Sequence, residues 1–196
     1  MISRTLLISS SFALLGLSLS VSAADKQLLW GDTHLHTAYS PDAFLSGNFS
    51  AEPDTAYRFA QGLPVIHPST RTRVQIGTPL DFLVIADHAE SMGVFKATAE
   101  GNLPTENMSV LDKIVAWLAE KGMAFLTGNP ENIVYLMQLA TAETTDVIES
   151  AKTPANLPIP GSAEVRRSTW DASIRAADAY NQPGEFSAFR LYLGHR

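Results

Sequence analysis

Residues 79–86, Pro-Leu-Asp-Phe-Leu-Val-Ile-Ala, form a nearly continuous apolar run that stops at Asp87-His88. A run this short suits a strand better than a helix, and it lacks the strict alternation of a strand buried on one face. It predicts a strand of the parallel-sheet kind, and with it an α/β fold. A second apolar run, residues 27–31, leads into Asp32-Thr33-His34-Leu35-His36. Both polar clusters thus lie at the C-terminal ends of expected strands, where parallel sheets and β/α barrels carry their chemistry.

Helix signals fill the spaces between. Asp54 can cap a helix over residues 55–61, stopped by Gly62 and followed by Pro64. Residues 90–160 look helical and less tied to a sheet. Within them Ser109 and Asp112 resemble a capping box opening a helix that runs through Trp117 and closes at Gly122. Asn129-Pro130 opens another, with Ile133, Val134, Leu136, Met137 and Ala140 as its core-facing stripe. Residues 153–161 are a proline-rich connector. A last helix over residues 163–180 leads through Pro183-Gly184 into a third strand starting near Glu185. At 196 residues the chain is sized for one domain.

The N-terminus reads as a signal peptide, residues 1–23. Arg4 gives a positive start, residues 5–20 an apolar stretch, and Val21-Ser22-Ala23 the small residues a signal peptidase needs. The expected location is periplasmic or secreted, with no membrane association after cleavage. A net charge of −6 and the lack of a basic patch argue against a nucleic-acid partner. Arg71 with Arg73, and Arg166 with Arg167, read as solvated surface. The absence of cysteine removes thiolate ligands and cysteine nucleophiles, so any metal must be held by His, Asp and Glu.

Five histidines are present, and three of them stand in the two strand-end clusters. His34 and His36, at i and i+2 on an extended segment, point the same way. Paired neutral imidazoles suit zinc, manganese or iron. Asp32 shares that register and either ligates or fixes a histidine tautomer. Asp42 follows in a loop within reach of a neighbouring ion. His88 brings an imidazole from the second strand, with Asp87 or Glu90 as ligand or proton acceptor. His67, between Ile66 and Pro68, reads as a loop residue, His195 as incidental, and Glu185 as a turn residue. Trp30 and Trp170 read as core.

Gly31-Asp32-Thr33-His34-Leu35-His36-Thr37, followed by Ser40-Pro41-Asp42, resembles the first motif of the PHP (polymerase and histidinol phosphatase) superfamily. Ile85-Ala86-Asp87-His88 resembles its second. The longer runs 30–47, 56–60, 79–90 and 180–189 are closer still to exported PHP-related proteins catalogued as domain of unknown function 3604. The resemblance implies the N-terminal part of a distorted PHP-type β/α barrel with a helical insertion. It also implies two or three divalent ions at the C-terminal rim and hydrolysis of a small phosphate or related ester by a metal-bound hydroxide. By position, His34 and His36 would share a first ion, and Asp42 and His88 would help hold another.

Beyond Phe189 the sequence departs from the family. Relatives continue into a Gly-Tyr-Glu-Trp-like segment whose glutamate bridges two metals, whereas this chain reads Arg190-Leu191-Tyr192-Leu193-Gly194-His195-Arg196. A one-base shift of frame can produce such a tail. A complete β/α barrel needs roughly 250 residues. The expectation is therefore a truncated and impaired hydrolase. The alternatives are an inactive fragment that binds metal weakly, or a periplasmic metal-binding or interaction protein using the half-site as it stands.

Overall fold

A parallel pair of strands organises the protein. The computed structural model describes residues 26–129, 131 and 159–191. Strand β1 (Gly31–Leu35) pairs in parallel with β4 (Phe82–Ile85), and β4 pairs in parallel with β5 (Ser187–Arg190), giving the order β1-β4-β5. Helices α1 (Pro41–Leu45) and α2 (Pro53–Ala60) and a short hairpin, β2 (Val65–Ile66) and β3 (Arg73–Val74), connect β1 to β4. Helices α3 (Val94–Ala99), α4 (Val110–Gly128) and α5 (Ser162–Tyr180) lie between β4 and β5. The fold is mixed α/β with a parallel sheet; among the described residues the sheet does not close into a barrel.

The main core lies between the sheet and two helices. Leu83 and Ile85 of β4 pack with Tyr57 and Ala60 of α2, Ala177 of α5, and Phe186. Tyr57 is fully buried, and its hydroxyl donates to the Phe189 carbonyl at 2.7 Å, tying α2 to β5. Its ring stacks on Tyr180, with centroids 5.8 Å apart. A second cluster of Val94, Leu103, Ala116 and Val165 joins α3, α4 and α5. Gly93, in the left-handed region at φ +73°, lets α5 approach; a Cβ there would lie 2.2 Å from Thr169 Oγ1. The buried residues of α5 are small or polar for the most part, as this close crossing requires.

Strand β4 forms within the continuous apolar run, and its burial alternates along the strand. Leu83 and Ile85 are buried while Phe82 and Val84 are half-buried, because helices cover one face among the described residues. Residues 27–30 form no strand. Leu28 and Leu29 are exposed, and Trp30, expected in the core, is 68% exposed. Pairing begins only where β4 offers a partner: Asp81 N–H donates to the Trp30 carbonyl at 2.7 Å, and Trp30 N–H donates to Asp81 Oδ2 at 2.6 Å. Gly31 then passes so close to Phe82 that a Cβ would sit 2.4 Å from its carbonyl oxygen. Trp170, also expected in the core, is half-buried, with the Arg190 guanidinium 5.4 Å from its ring centroid.

Helix boundaries follow the caps with two differences. Ser109 caps α4 as the capping-box pattern predicts, accepting from Asp112 N–H, but the helix runs through Gly122 to Gly128. Helix α2 starts at Pro53, with Glu52 rather than Asp54 at its N-cap; proline's fixed φ suits the first turn, while Asp54 uses its carboxylate to accept from the Tyr180 hydroxyl. Outward-facing Val110, Leu111, Ile114, Trp117, Leu118 and Phe125 give α4 an exposed apolar surface. The expected signal peptide, the helix over residues 131–140, most of the proline-rich connector and His195 lie outside the described residues. Among the described residues no helix is long and apolar enough to cross a membrane.

Candidate metal centre

The imidazoles of the two motifs meet where β1 and β4 end. Between Asp32 and Leu35 the β1–β4 register shifts: Asp32 pairs with Leu83 and Leu35 with Ile85, so β1 spends one extra residue over the same span. This bulge bends the strand end and re-aims the side chains that follow. His34 and His36 converge, with ring centroids 4.9 Å and Nε2 atoms 2.9 Å apart. The His88 ring stands edge-on to His36 at a centroid distance of 4.9 Å. Asp32 plays a local part, its Oδ1 accepting from His34 N–H at 2.9 Å.

Asp42 reaches the cluster from the first turn of α1. Its Oδ2 lies 2.6 Å from His36 Nδ1 and 3.8 Å from His88 Nε2. His36, Asp42 and His88 each offer a ligand atom within 4.8 Å of the others. Burial pushes the Asp42 carboxyl up, but hydrogen bonds from Ser40 and His36 outweigh it and hold the group below its ordinary pKa. Asp42 therefore stays an anion beside the imidazoles. With Nδ1–H donated to Asp42, the lone pair of a neutral His36 lies on Nε2, facing His34. Two metal–nitrogen bonds of about 2.0–2.1 Å at a tetrahedral angle place their nitrogens about 3.3 Å apart. The 2.9 Å separation of the two Nε2 atoms needs only a small adjustment to reach that spacing.

Ser40 and Asp87 hold the two motif loops together. Ser40 is fully buried; its hydroxyl donates to Asp42 Oδ1 at 2.5 Å and accepts from His88 N–H at 3.1 Å. Asp87, 1% exposed, accepts from Thr37 N–H at 2.6 Å and from the Thr37 hydroxyl at 2.8 Å. Burial raises the Asp87 pKa, opposed by both Thr37 hydrogen bonds. Its carboxylate is thus engaged with the β1 loop, a supporting position. Glu90 Oε2 lies 4.0 Å from His88 Nδ1. Sequence reading missed the roles of Ser40 and Thr37. Both stand inside the first motif, and the signal for them is a hydroxyl residue flanking an Asp in a loop that must bury its polar groups.

His67 lies apart from this cluster. It follows β2, and its Nδ1 accepts from the backbone N–H groups of Ser69 and Thr70, each at 3.2 Å. Glu185 is exposed in the turn before β5, its N–H donating to the Gln182 carbonyl.

The sequence profile of the family described as Protein of unknown function (DUF3604) matches residues 23–193. The chain belongs to the DUF3604 family. No curated protein and no solved structure matches it. The DUF3604 match spans the histidine motifs, the helical stretch and β5 alike.

Proposed function

We propose that this DUF3604 chain is a metal-dependent hydrolase of phosphate or related esters, of the PHP kind, working in the periplasm or outside the cell. One observation carries the reading. The two Nε2 atoms of His34 and His36 lie 2.9 Å apart, beside a His36–Asp42–His88 group able to ligate. His34 and His36 would hold one divalent ion, and Asp42 and His88 would help hold another. These donors suit zinc, manganese or iron. When bound, such ions supply positive charge for a phosphoryl or sulfuryl oxygen and lower the pKa of bound water. The chain's own residues supply the frame: Asp42 orients His36, Ser40 aligns Asp42, and Asp87 fixes the loop through Thr37.

A second reading is a metal-binding protein without turnover. The side chains of Asp42 and His88 are 47% and 42% exposed, which leaves the ligand cluster open to solvent. Metal content of the purified chain, measured with hydrolysis of an aryl phosphate and an aryl sulfate, separates the two. Stoichiometric metal and turnover lost in His34→Ala support the hydrolase. Metal without turnover supports the second reading, and a folded chain that takes up no metal refutes both.

A further inference from the structure

Next to the metal cluster, between α2 and the β2–β3 hairpin, lies a cavity of about 200 Å³. Ala56, Phe59, Val65, Ile66 and Val74 line it, and His36 forms part of the same wall. His36 thus stands in two places at once, in the ligand cluster and at the edge of an apolar chamber. The polar side chains in the wall are few (His36, Asn48, Thr55 and His67), and two of them hold local hydrogen bonds. His67 Nδ1 accepts two backbone N–H groups, and Asn48 exchanges hydrogen bonds with Ala51, its Oδ1 accepting from Ala51 N–H at 2.9 Å. No charged side chain lines the cavity. A chamber of this composition disfavours sugars and charged groups, which would lose water without gaining partners.

Size narrows the occupant. An apolar cavity of about 150 Å³ accepts benzene, so about 200 Å³ holds one six-membered ring with a short substituent. Full drug-sized pockets run from about 300 Å³ upward, so the chamber, which opens to solvent, suits a single ring with the rest of the molecule outside it.

From this geometry we infer that the ester handled at the His34–His36–Asp42–His88 cluster carries one aryl ring, and that the ring occupies the chamber between α2 and the β2–β3 hairpin. The inference rests on the metal-dependent ester reading and adds the substrate class. The phosphoryl or sulfuryl end faces the ions, while the ring passes His36 and buries against Phe59, Val65 and Val74. Positioning by the ring fixes the ester relative to the cluster at a distance from the chemistry.

The test loads the purified chain with Mn²⁺ and compares phenylphosphonate with methylphosphonate, two non-hydrolysable probes, by calorimetry. Phenylphosphonate is expected to bind at least about tenfold more tightly, the size of effect that burying a ring brings. Two substitutions fill the chamber from opposite walls, Ala56→Phe on α2 and Val74→Trp on the hairpin. Each is expected to erase the phenyl preference while leaving Mn²⁺ stoichiometry and methylphosphonate affinity unchanged. Equal affinity for the two probes in the unmodified chain overturns the aryl inference and leaves the metal reading intact. A phenyl preference that survives both substitutions also overturns it, because the ring then sits elsewhere. Should either variant unfold by circular dichroism, the other variant and the unmodified chain still decide. A chain that takes up none of Zn²⁺, Mn²⁺ and Fe²⁺, or that loads with one of them and binds neither phosphonate, overturns the underlying ester reading and this inference with it.

Discussion

Ser40→Ala removes a single oxygen and perturbs both motif loops. The hydroxyl donates to Asp42 Oδ1 at 2.5 Å and accepts from His88 N–H at 3.1 Å. A hydrogen bond to a charged acceptor contributes about 1.5–3 kcal/mol. The Asp42 side chain is 47% exposed, so water replaces part of that bond and the low end applies. The His88 N–H is left facing an alanine methyl, at a cost of about 1–3 kcal/mol for an unsatisfied donor. The sum is about 2.5–4.5 kcal/mol, or about 5–18 °C in Tm for a domain of this size. Metal affinity is expected to fall about 10–100-fold, because Asp42 loses the contact that orients it toward His36. Differential scanning calorimetry of the metal-free chain measures the first quantity, and Mn²⁺ titration calorimetry the second. A Tm within 1 °C of the unmodified chain, together with unchanged Mn²⁺ affinity, would show that Ser40 bridges nothing of consequence.

Other outcomes follow from the same contacts. Asp87→Asn keeps the volume but trades one acceptor oxygen for a donor opposite Thr37 N–H or Oγ1; a loss of about 1–3 kcal/mol by urea unfolding is expected, and an unchanged midpoint would contradict the bonding described. Gly31→Ala drives a Cβ to 2.4 Å from the Phe82 carbonyl, with about 1–3 kcal/mol lost or β1 displaced; full stability with an unchanged amide spectrum for residues 81–83 refutes the close approach. At alkaline pH, burial raises the Tyr39 and Tyr57 hydroxyls, and Lys96 is raised as well, burial lowering it but Glu100 and Glu52 outweighing that. In each case the folded chain keeps its proton longer than the unfolded chain. Stability is therefore full below the ordinary tyrosine value of 10.0 and falls as pH rises above it. Tyr39→Phe and Lys96→Met should each flatten that fall in unfolding curves between pH 9 and pH 12; parallel curves would count against the assignment.

Much of the fold around the candidate site was legible because it hangs on local signals. The apolar run before Asp87-His88 does form a strand, since Leu83 and Ile85 have helices to bury against. Ser109 and Asp112 mark a helix start because the cap is made by residues three apart. The extension of α4 past Gly122 was not legible. A glycine inside a helix costs only about 1 kcal/mol, and Ala116 and Met123 on either side of it are buried. The β1 bulge was also hidden. It arises from pairing with a strand some fifty residues away, and no local pattern carries that information. Ser40 and Thr37 escaped for the same reason, since what makes them important is a partner in the second motif rather than their own spacing.

The Thr37–Asp87 and Ser40–His88 contacts join residues 50 and 48 positions apart. Neither can exist until β1 and β4 are side by side, so the ligand cluster is a product of long-range closure. Such contacts form late and slowly, because the intervening loop must lose its freedom first. An ion bound by both motifs would then act as a ligand of the native state alone, stabilising it by RT ln(1 + [M]/Kd), where [M] is the free ion concentration. The yield of folded chain would then become a function of ambient metal. Ion supply would then set abundance as well as chemistry.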